Sequence, residues 1–130
     1  MLTFHHFLAI SLGAAAGAVS RWLLGLWLNH PHVALPWGTL AANLIGGYLI
    51  GVVLGLLALF PEVPTWLRLM LVTGFLGGLT TFSTFSGESI GLLERGAYLH
   101  AFGYIGASLV GSLALTALGM VTVHWLRPAA

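Results

Sequence analysis

Apolar residues along the chain fall into long stretches that short polar or proline-containing segments separate. A membrane-spanning helix needs about 20 mainly apolar residues, and four stretches meet that requirement. Their approximate bounds are residues 4–28, 37–59, 65–95 and 99–126. Because the connections are short, neighbouring helices are expected to run antiparallel. The pattern therefore predicts an all-α integral membrane protein with four transmembrane helices in one domain, residues 1–130.

The third stretch departs from a normal membrane helix. Residues 74–86 read Gly-Phe-Leu-Gly-Gly-Leu-Thr-Thr-Phe-Ser-Thr-Phe-Ser, a run of glycines and hydroxyls. Non-helical backbone at membrane depth survives only inside protein or beside a water-filled cavity. The sequence therefore predicts a break near Gly77 to Thr80 and the working centre of the protein around it. The alternative is a glycine kink that serves close packing without any ion.

The predicted break offers groups for ions of both signs. An unwound turn frees carbonyl oxygens that suit a hard cation, while the helix that begins after it offers N–H groups that suit an anion. Phe82 and Phe85 lie three residues apart and project on one face. Aromatic ring edges are positive, so they can hold a small anion weakly enough to release it. Asn43 in the second helix adds an amide donor.

Polar residues on the fourth helix share one face because they recur every four residues. They are Tyr104, Ser108, Ser112 and Thr116. This stripe predicts a polar wall facing a pore, although a serine in a membrane helix often bonds its own backbone.

Small residues recur at the same spacing on the first two helices. Gly13 and Gly17 form one stripe, and Gly47, Gly51 and Gly55 form the other. Such stripes allow helix backbones to approach closely in lipid. Packing inside one subunit and packing between subunits both remain open from the sequence.

Composition agrees with a membrane location. Hydrophobic residues make up 58% of the chain and charged residues 5%, whereas a soluble domain has about 25% charged residues. A formal net charge of +1 argues against nucleic-acid binding. The absence of cysteine excludes disulfides and thiolate chemistry. The sequence shows no pairing of a nucleophile with a general base, so an enzyme is not expected.

The four arginines are balanced across the predicted spans. Arg68 and Arg127 belong to one side of the membrane, and Arg95 and Arg21 to the other. Orientation normally follows an excess of Lys and Arg in cytoplasmic loops. The balance predicts a chain that inserts both ways and pairs antiparallel, unless a weak bias lies elsewhere.

Two further charged residues are candidates for the mouth of a pore. Glu88 follows Phe85 by three residues near the end of the third helix, which suits a hydrogen-bonding role in a vestibule. Arg21 either reaches toward the interface or gathers anions at a pore mouth. The histidines are read as interfacial groups, and the pair His30 and His32 lacks a third metal ligand nearby.

Residues 74–86 resemble the signature of the Fluc (CrcB) fluoride-channel family. Residues 36–46, Pro-Trp-Gly-Thr-Leu-Ala-Ala-Asn-Leu-Ile-Gly, are similar to the second-helix motif of that family, and residues 13–22 resemble its first-helix motif more loosely. The resemblance implies a passive fluoride channel in the cell inner membrane. It also implies a dual-topology antiparallel homodimer with two pores.

The resemblance further implies roles for individual residues. A structural sodium ion would be held by the backbone carbonyls of Gly77 and Thr80 from both subunits. The residues that would contact fluoride or line its path are Phe82, Phe85, Asn43, Tyr104, Ser108 and Ser112.

Two other functions compete with a fluoride channel. A four-helix drug/proton antiporter needs a carboxylate in the first span, and residues 4–28 contain neither Asp nor Glu. A subunit that only assembles with others would explain the glycine stripes, but it would not explain two hydroxyl-rich faces and a phenylalanine pair.

Overall fold

The computed structural model describes residues 3–129, so Met1, Leu2 and Ala130 of the predicted domain lie outside the described residues. The regular elements of the described part are all helical. They are α1 (Phe4–Leu28), α2 (Trp37–Leu59), α3 (Thr65–Arg68), a π-helical segment (Leu69–Leu76), α4 (Gly77–Leu79), α5 (Phe82–Glu94) and α6 (Tyr98–Leu126).

Four spans are long and apolar enough to cross a membrane, which confirms the main prediction from the sequence. They are Phe4–Leu28, Trp37–Leu59, Thr65–Glu94 and Tyr98–Leu126. Large apolar side chains such as Leu99 are exposed along these spans, as expected where lipid replaces water. The chain is therefore a multi-pass membrane protein.

Short connections hold consecutive spans side by side. Asn29 follows α1, and its side-chain oxygen accepts a hydrogen bond of 2.8 Å from the Gly38 amide at the start of α2. Between the third and fourth spans, Gly96 adopts a φ of 74°, a left-handed conformation that glycine adopts at little cost. Both connections end one helix and begin the next within a few residues.

The glycine stripe of α2 packs against α6 of the same chain. A Cβ atom added at Gly47 would lie 3.0 Å from the Ser112 carbonyl oxygen, and one at Gly51 would collide with the Thr116 carbonyl. At Gly55 the added atom would lie 2.9 Å from the Val123 side chain. These glycines therefore serve packing within the subunit, which decides between the two alternatives for this stripe.

The first and third spans approach each other through glycines on both sides. A Cβ atom added at Gly74 would lie 2.7 Å from the Ile10 carbonyl oxygen, and one at Gly78 would lie 2.6 Å from the Ala14 carbonyl oxygen. On α1, Gly13 meets the backbone of Gly74 in the same way. The stripe of α1 is thus also used inside the subunit.

The π-helical segment Leu69–Leu76 was not expected from the sequence. It lies directly before the glycine-rich run and widens the third span over 8 residues. π-helical turns are rare and occur often at functional sites. Its apolar sequence, Leu-Met-Leu-Val-Thr-Gly-Phe-Leu, carries no signal that separates it from an α-helix.

Two buried clusters join the third span to its neighbours. One contains Ala42, Leu76 and Leu79. The other consists of Leu92, Ala101 and Tyr104, with Phe85 packed against it. The first cluster joins the third span to α2, and the second joins it to α6.

Candidate functional site

The third span is interrupted at Thr80 and Thr81. Thr80 has φ −88° and ψ 155°, and Thr81 has φ −152° and ψ 123°, both extended rather than helical. The Thr81 hydroxyl accepts a hydrogen bond of 3.2 Å from the Thr84 amide and so caps the start of α5. Gly77 and Gly78 remain helical, so the hydroxyl residues, and not the glycines, carry the extended backbone.

Asn43 on α2 binds the backbone of Thr81 twice. Its side-chain oxygen accepts from the Thr81 amide at 2.8 Å, and its side-chain nitrogen donates to the Thr81 carbonyl at 3.0 Å. A pair of bonds from one planar amide fixes both the position and the orientation of the extended residue. Asn43 therefore holds the interruption in place, a role that the sequence did not predict.

Arg21 on α1 binds the same region from the other side. Its Nε donates a hydrogen bond of 3.1 Å to the carbonyl of Gly78. The sequence had offered a pore mouth or the membrane interface for this arginine, and the structure gives it a backbone partner inside the third span. A signal existed, because Arg21 continues the four-residue spacing of Gly13 and Gly17, both of which face the third span.

Two carbonyl groups at the interruption lose the donors that a continuous helix would supply. In an α-helix each carbonyl accepts from the amide four residues later. The expected donor to the Gly77 carbonyl is the Thr81 amide, which instead donates to the side-chain oxygen of Asn43. The expected donor to the Thr80 carbonyl is the Thr84 amide, which instead donates to the Thr81 hydroxyl. The oxygens of Gly77 and Thr80 are thus left available for another partner.

An open cavity of about 490 Å³ lies against the interruption. It brings together the residues predicted to contact fluoride or sodium, with the exception of Tyr104, whereas Thr116, Arg21 and Glu88 do not line it. Its polar or aromatic members are Asn43, Thr80, Thr81, Phe82, Phe85, Ser108 and Ser112, and Gly77 lies among them. One concave surface therefore combines freed carbonyls, hydroxyls and aromatic rings from three spans.

Three aromatic rings form a chain beside this cavity. The Phe82 and Phe85 centroids are 5.6 Å apart at an interplanar angle of 60°, and the Phe85 and Tyr104 centroids are 5.3 Å apart at 68°. These are edge-to-face arrangements, which aromatic quadrupoles favour. Phe82 is 79% exposed, so its ring projects away from the rest of the chain.

The hydroxyls of Tyr104 and Ser108 form no hydrogen bond of normal geometry within residues 3–129, and the Thr39 side chain is the polar neighbour of the Tyr104 hydroxyl. The two residues lie one turn apart on α6 and are only 2% and 5% exposed. A buried polar group without a partner costs about 1–3 kcal/mol. Both hydroxyls can donate to an acceptor, and Tyr104 also packs its ring against Phe85.

The fourth member of the α6 stripe behaves differently. The Thr116 hydroxyl donates to the Gly47 carbonyl at 2.8 Å and to the Ser112 carbonyl at 2.9 Å. It therefore ties α6 to α2, and it has no free donor for a passing ion. The polar wall predicted from the stripe therefore does not include the Thr116 hydroxyl.

Glu88 pairs with a residue that the sequence did not single out. The Thr39 hydroxyl on α2 donates a hydrogen bond of 2.7 Å to Oε1 of Glu88. Thr39 is buried, and a lone threonine near a helix start gave no sequence signal for this contact. Among residues 3–129 no group of three or more His, Cys, Asp or Glu side chains could hold a metal ion.

Comparison with known proteins agrees with the resemblance seen in the sequence. The relatives below are each named fluoride-specific ion channel FluC. The Bordetella petrii protein is 65% identical over 122 residues, which cover 94% of both chains. The Bordetella pertussis protein is 60% identical over 128 residues, 97% of this chain and 98% of the relative. The Tolumonas auensis protein is 57% identical over 120 residues, which cover 92% of this chain and 94% of the relative.

These relatives are named as ion channels, which confirms the prediction that the chain is not an enzyme. The family model described as CrcB-like protein, Camphor Resistance (CrcB), matches residues 8–120. With most of its length matched and relatives at this level of identity, the chain belongs to the CrcB family.

Proposed function

We propose that this protein is a fluoride-selective channel that lets fluoride leave the cell passively across the cytoplasmic membrane. The observation that carries the proposal is the pair of buried hydroxyls of Tyr104 and Ser108 on one face of α6, where Tyr104 packs against Phe85 and Ser108 lines the same cavity as Phe85. The FluC names of the relatives support the same anion. Fluoride is the smallest halide and accepts hydrogen bonds most strongly, so such donors suit it better than they suit chloride.

The donors in this pathway are uncharged. Hydroxyls of Ser108 and Ser112 and the rings of Phe82 and Phe85 line the cavity, and no arginine or histidine lies among its lining residues. Conduction requires binding that is strong enough to admit an ion and weak enough to release it. Weak donors in series satisfy both requirements. Asn43 also lines the cavity and keeps a second amide hydrogen beyond the one given to Thr81.

Glu88 serves the entrance of the pathway in this proposal. Its carboxylate accepts from Thr39, so it orients a hydroxyl and does not itself bind an anion. Arg21 uses its Nε on the Gly78 carbonyl, which leaves the Nη donors of its guanidinium group for anions at the pore mouth. Its positive charge lies on α1 beside the third span, where it favours anions near the interruption.

A second copy of the chain is proposed to cover the open cavity. Extended backbone at membrane depth has to be covered by protein or line a water-filled cavity, and the extended Thr80 and Thr81 both line the open surface. The 79% exposure of Phe82 gives a large apolar ring for a partner to contact. Two equivalent pathways would follow from two-fold symmetry.

The two copies are proposed to insert in opposite orientations. Both chain ends lie on one side of four spans, together with Arg68 and Arg127. The opposite side keeps only Arg95 in a loop, because Arg21 is bonded within the span. A difference of one arginine is a weak orienting signal. Antiparallel pairing would also present the same open surface to each copy.

A structural sodium ion is proposed at the centre of this dimer. The residues fit such an ion because the Gly77 and Thr80 oxygens lose their helical donors and both residues line the open cavity. Hard cations prefer oxygen ligands. When bound, sodium would supply the positive charge that the freed carbonyls require. The chain itself supplies the rigidity, through the Asn43 and Arg21 hydrogen bonds.

Removing the aromatic ring edges tests the anion pathway. Phe82→Ile and Phe85→Ile keep apolar bulk, so both variants are expected to fold and pair normally. Loss of an edge interaction worth about 0.5–1.5 kcal/mol is expected to slow fluoride efflux from liposomes by up to about tenfold. Phe102→Ile, an exposed ring on α6, is the control and is expected to conduct normally. Normal efflux from both Phe82→Ile and Phe85→Ile would contradict the assignment.

Replacing sodium by N-methylglucamine tests the cation site. After exhaustive exchange of sodium for N-methylglucamine, the purified protein is expected to lose fluoride efflux. Before the exchange, protein purified in radioactive sodium is expected to retain one sodium ion per two chains. Potassium at the same ionic strength is the control for salt effects. Full efflux together with no retained sodium would refute the cation site and leave the anion pathway standing.

Single introduced cysteines test the dual topology, because the native chain has none. Ala34→Cys lies in an exposed loop, and a membrane-impermeant maleimide is expected to label about half of the copies from either side. Adding Glu62→Lys and Pro61→Lys, on the side of Arg68, is expected to drive most copies into one orientation. Labelling of the native-charge chain from one side only would rule out dual topology.

A further inference from the structure

A second cavity lies at the opposite end of α2 and α6 from the Thr39–Glu88 pair. It has a volume of about 360 Å³ and none of the residues that line the first cavity. Gly55, Ala58 and Leu59 of α2 form one wall, and Met120, His124 and Arg127 belong to the other. We call it the α2/α6 cleft.

The cleft exists because small residues face a larger helix. Gly55 touches the Val123 side chain through its backbone, and Ala58 one turn later adds only a methyl group. The adjoining Leu59 and Met120 are exposed and form an aliphatic floor. A groove of this kind between two membrane spans accepts a flexible apolar chain.

Basic groups and no acidic ones line the outer end of the cleft. Arg127 and His124 are its polar side chains, and none of the three glutamates lies among its lining residues. Trp125, which is 77% exposed, lies at the same level of α6. Exposed tryptophans at span ends mark the headgroup region of a bilayer. The basic end of the cleft is therefore at headgroup depth, and the aliphatic floor extends from Leu59 at the level of Arg127 to Met120 at acyl-chain depth.

We infer that the α2/α6 cleft binds one anionic phospholipid. Arg127 holds the headgroup phosphate through a geometry that guanidinium groups form readily, His124 lies beside it, and one acyl chain occupies the groove over Leu59 and Met120. The inference depends on charge and shape at the span ends and does not depend on the proposed fluoride pathway.

Lipid retention tests this inference on the delipidated full-length protein in detergent. Titration with a phosphatidylglycerol or a phosphatidylcholine of the same acyl chains is followed by native mass spectrometry. Wild-type protein is expected to prefer phosphatidylglycerol. Arg127→Gln is expected to weaken its binding about fivefold, the equivalent of about 1 kcal/mol for a basic residue at an anionic surface. Arg127→Lys is expected to retain most of the preference.

Arg68→Gln is the matched control, since it removes the same charge from the same side of the membrane outside the cleft. It is expected to leave lipid binding unchanged, and an equal loss in Arg68→Gln would overturn the inference in favour of general surface charge. Ala58→Phe keeps both basic residues and fills the groove, so it is expected to reduce phosphatidylglycerol binding. Circular dichroism and gel filtration check that each variant is folded.

Inorganic phosphate separates a lipid site from a free-anion site. Added phosphate is expected to displace little phosphatidylglycerol, because it gains nothing from the aliphatic floor. Complete displacement by phosphate, together with normal lipid binding in Ala58→Phe, would overturn the inference and assign the basic pair to free anions. Equal retention of the two lipids by wild-type protein would overturn it as well.

Discussion

Two hydrogen bonds between Asn43 and Thr81 determine the geometry on which the rest of the site depends. They take the Thr81 amide and carbonyl out of the helical ladder, and they do so in a span where an unpaired backbone group has no water to bind. The third span can therefore stop and restart without orphaned groups at that residue. The same bonds leave the Gly77 carbonyl without its helical donor, and they bring α5, with Phe82 and Phe85, against the cavity next to α2.

Close backbone packing makes this arrangement rigid. Glycines on α1 and in the third span meet each other's backbones, which brings Arg21 within 3.1 Å of the Gly78 carbonyl. Glycines on α2 do the same for α6 and bring Thr116 to the Gly47 carbonyl. A larger side chain at these contacts would push the spans apart and separate the groups that share the cavity. The interruption is consequently clamped from α1 and from α2 at once.

The sequence predicted the features that follow from apolar length or from a regular spacing along one helix. It missed the contacts that depend on a residue of another helix. Span positions came within a few residues because apolar length alone sets them. The stripe of Tyr104 and Ser108 was found because it repeats every turn, whereas the Thr39–Glu88 bond joins two helices and has no periodic signature. The extended residues lie at Thr80 and Thr81 because Asn43 binds there, and a count of glycines cannot locate a partner on another span. The π-helical segment likewise depends on packing rather than on its apolar letters.

In the proposed pathway, selectivity comes from dipoles rather than from fixed charge in contact with the ion. The buried hydroxyls of Tyr104 and Ser108 favour an acceptor that is small and strongly hydrogen-bonding, and a larger halide would form longer and weaker bonds. Efflux from liposomes that contain the purified wild-type protein and are loaded with either fluoride or chloride tests this most directly. With potassium as the loaded cation and valinomycin to let it follow the anion, the account predicts rapid fluoride efflux and no chloride efflux above that of protein-free liposomes. Equal efflux of the two anions, or no fluoride efflux, would contradict it.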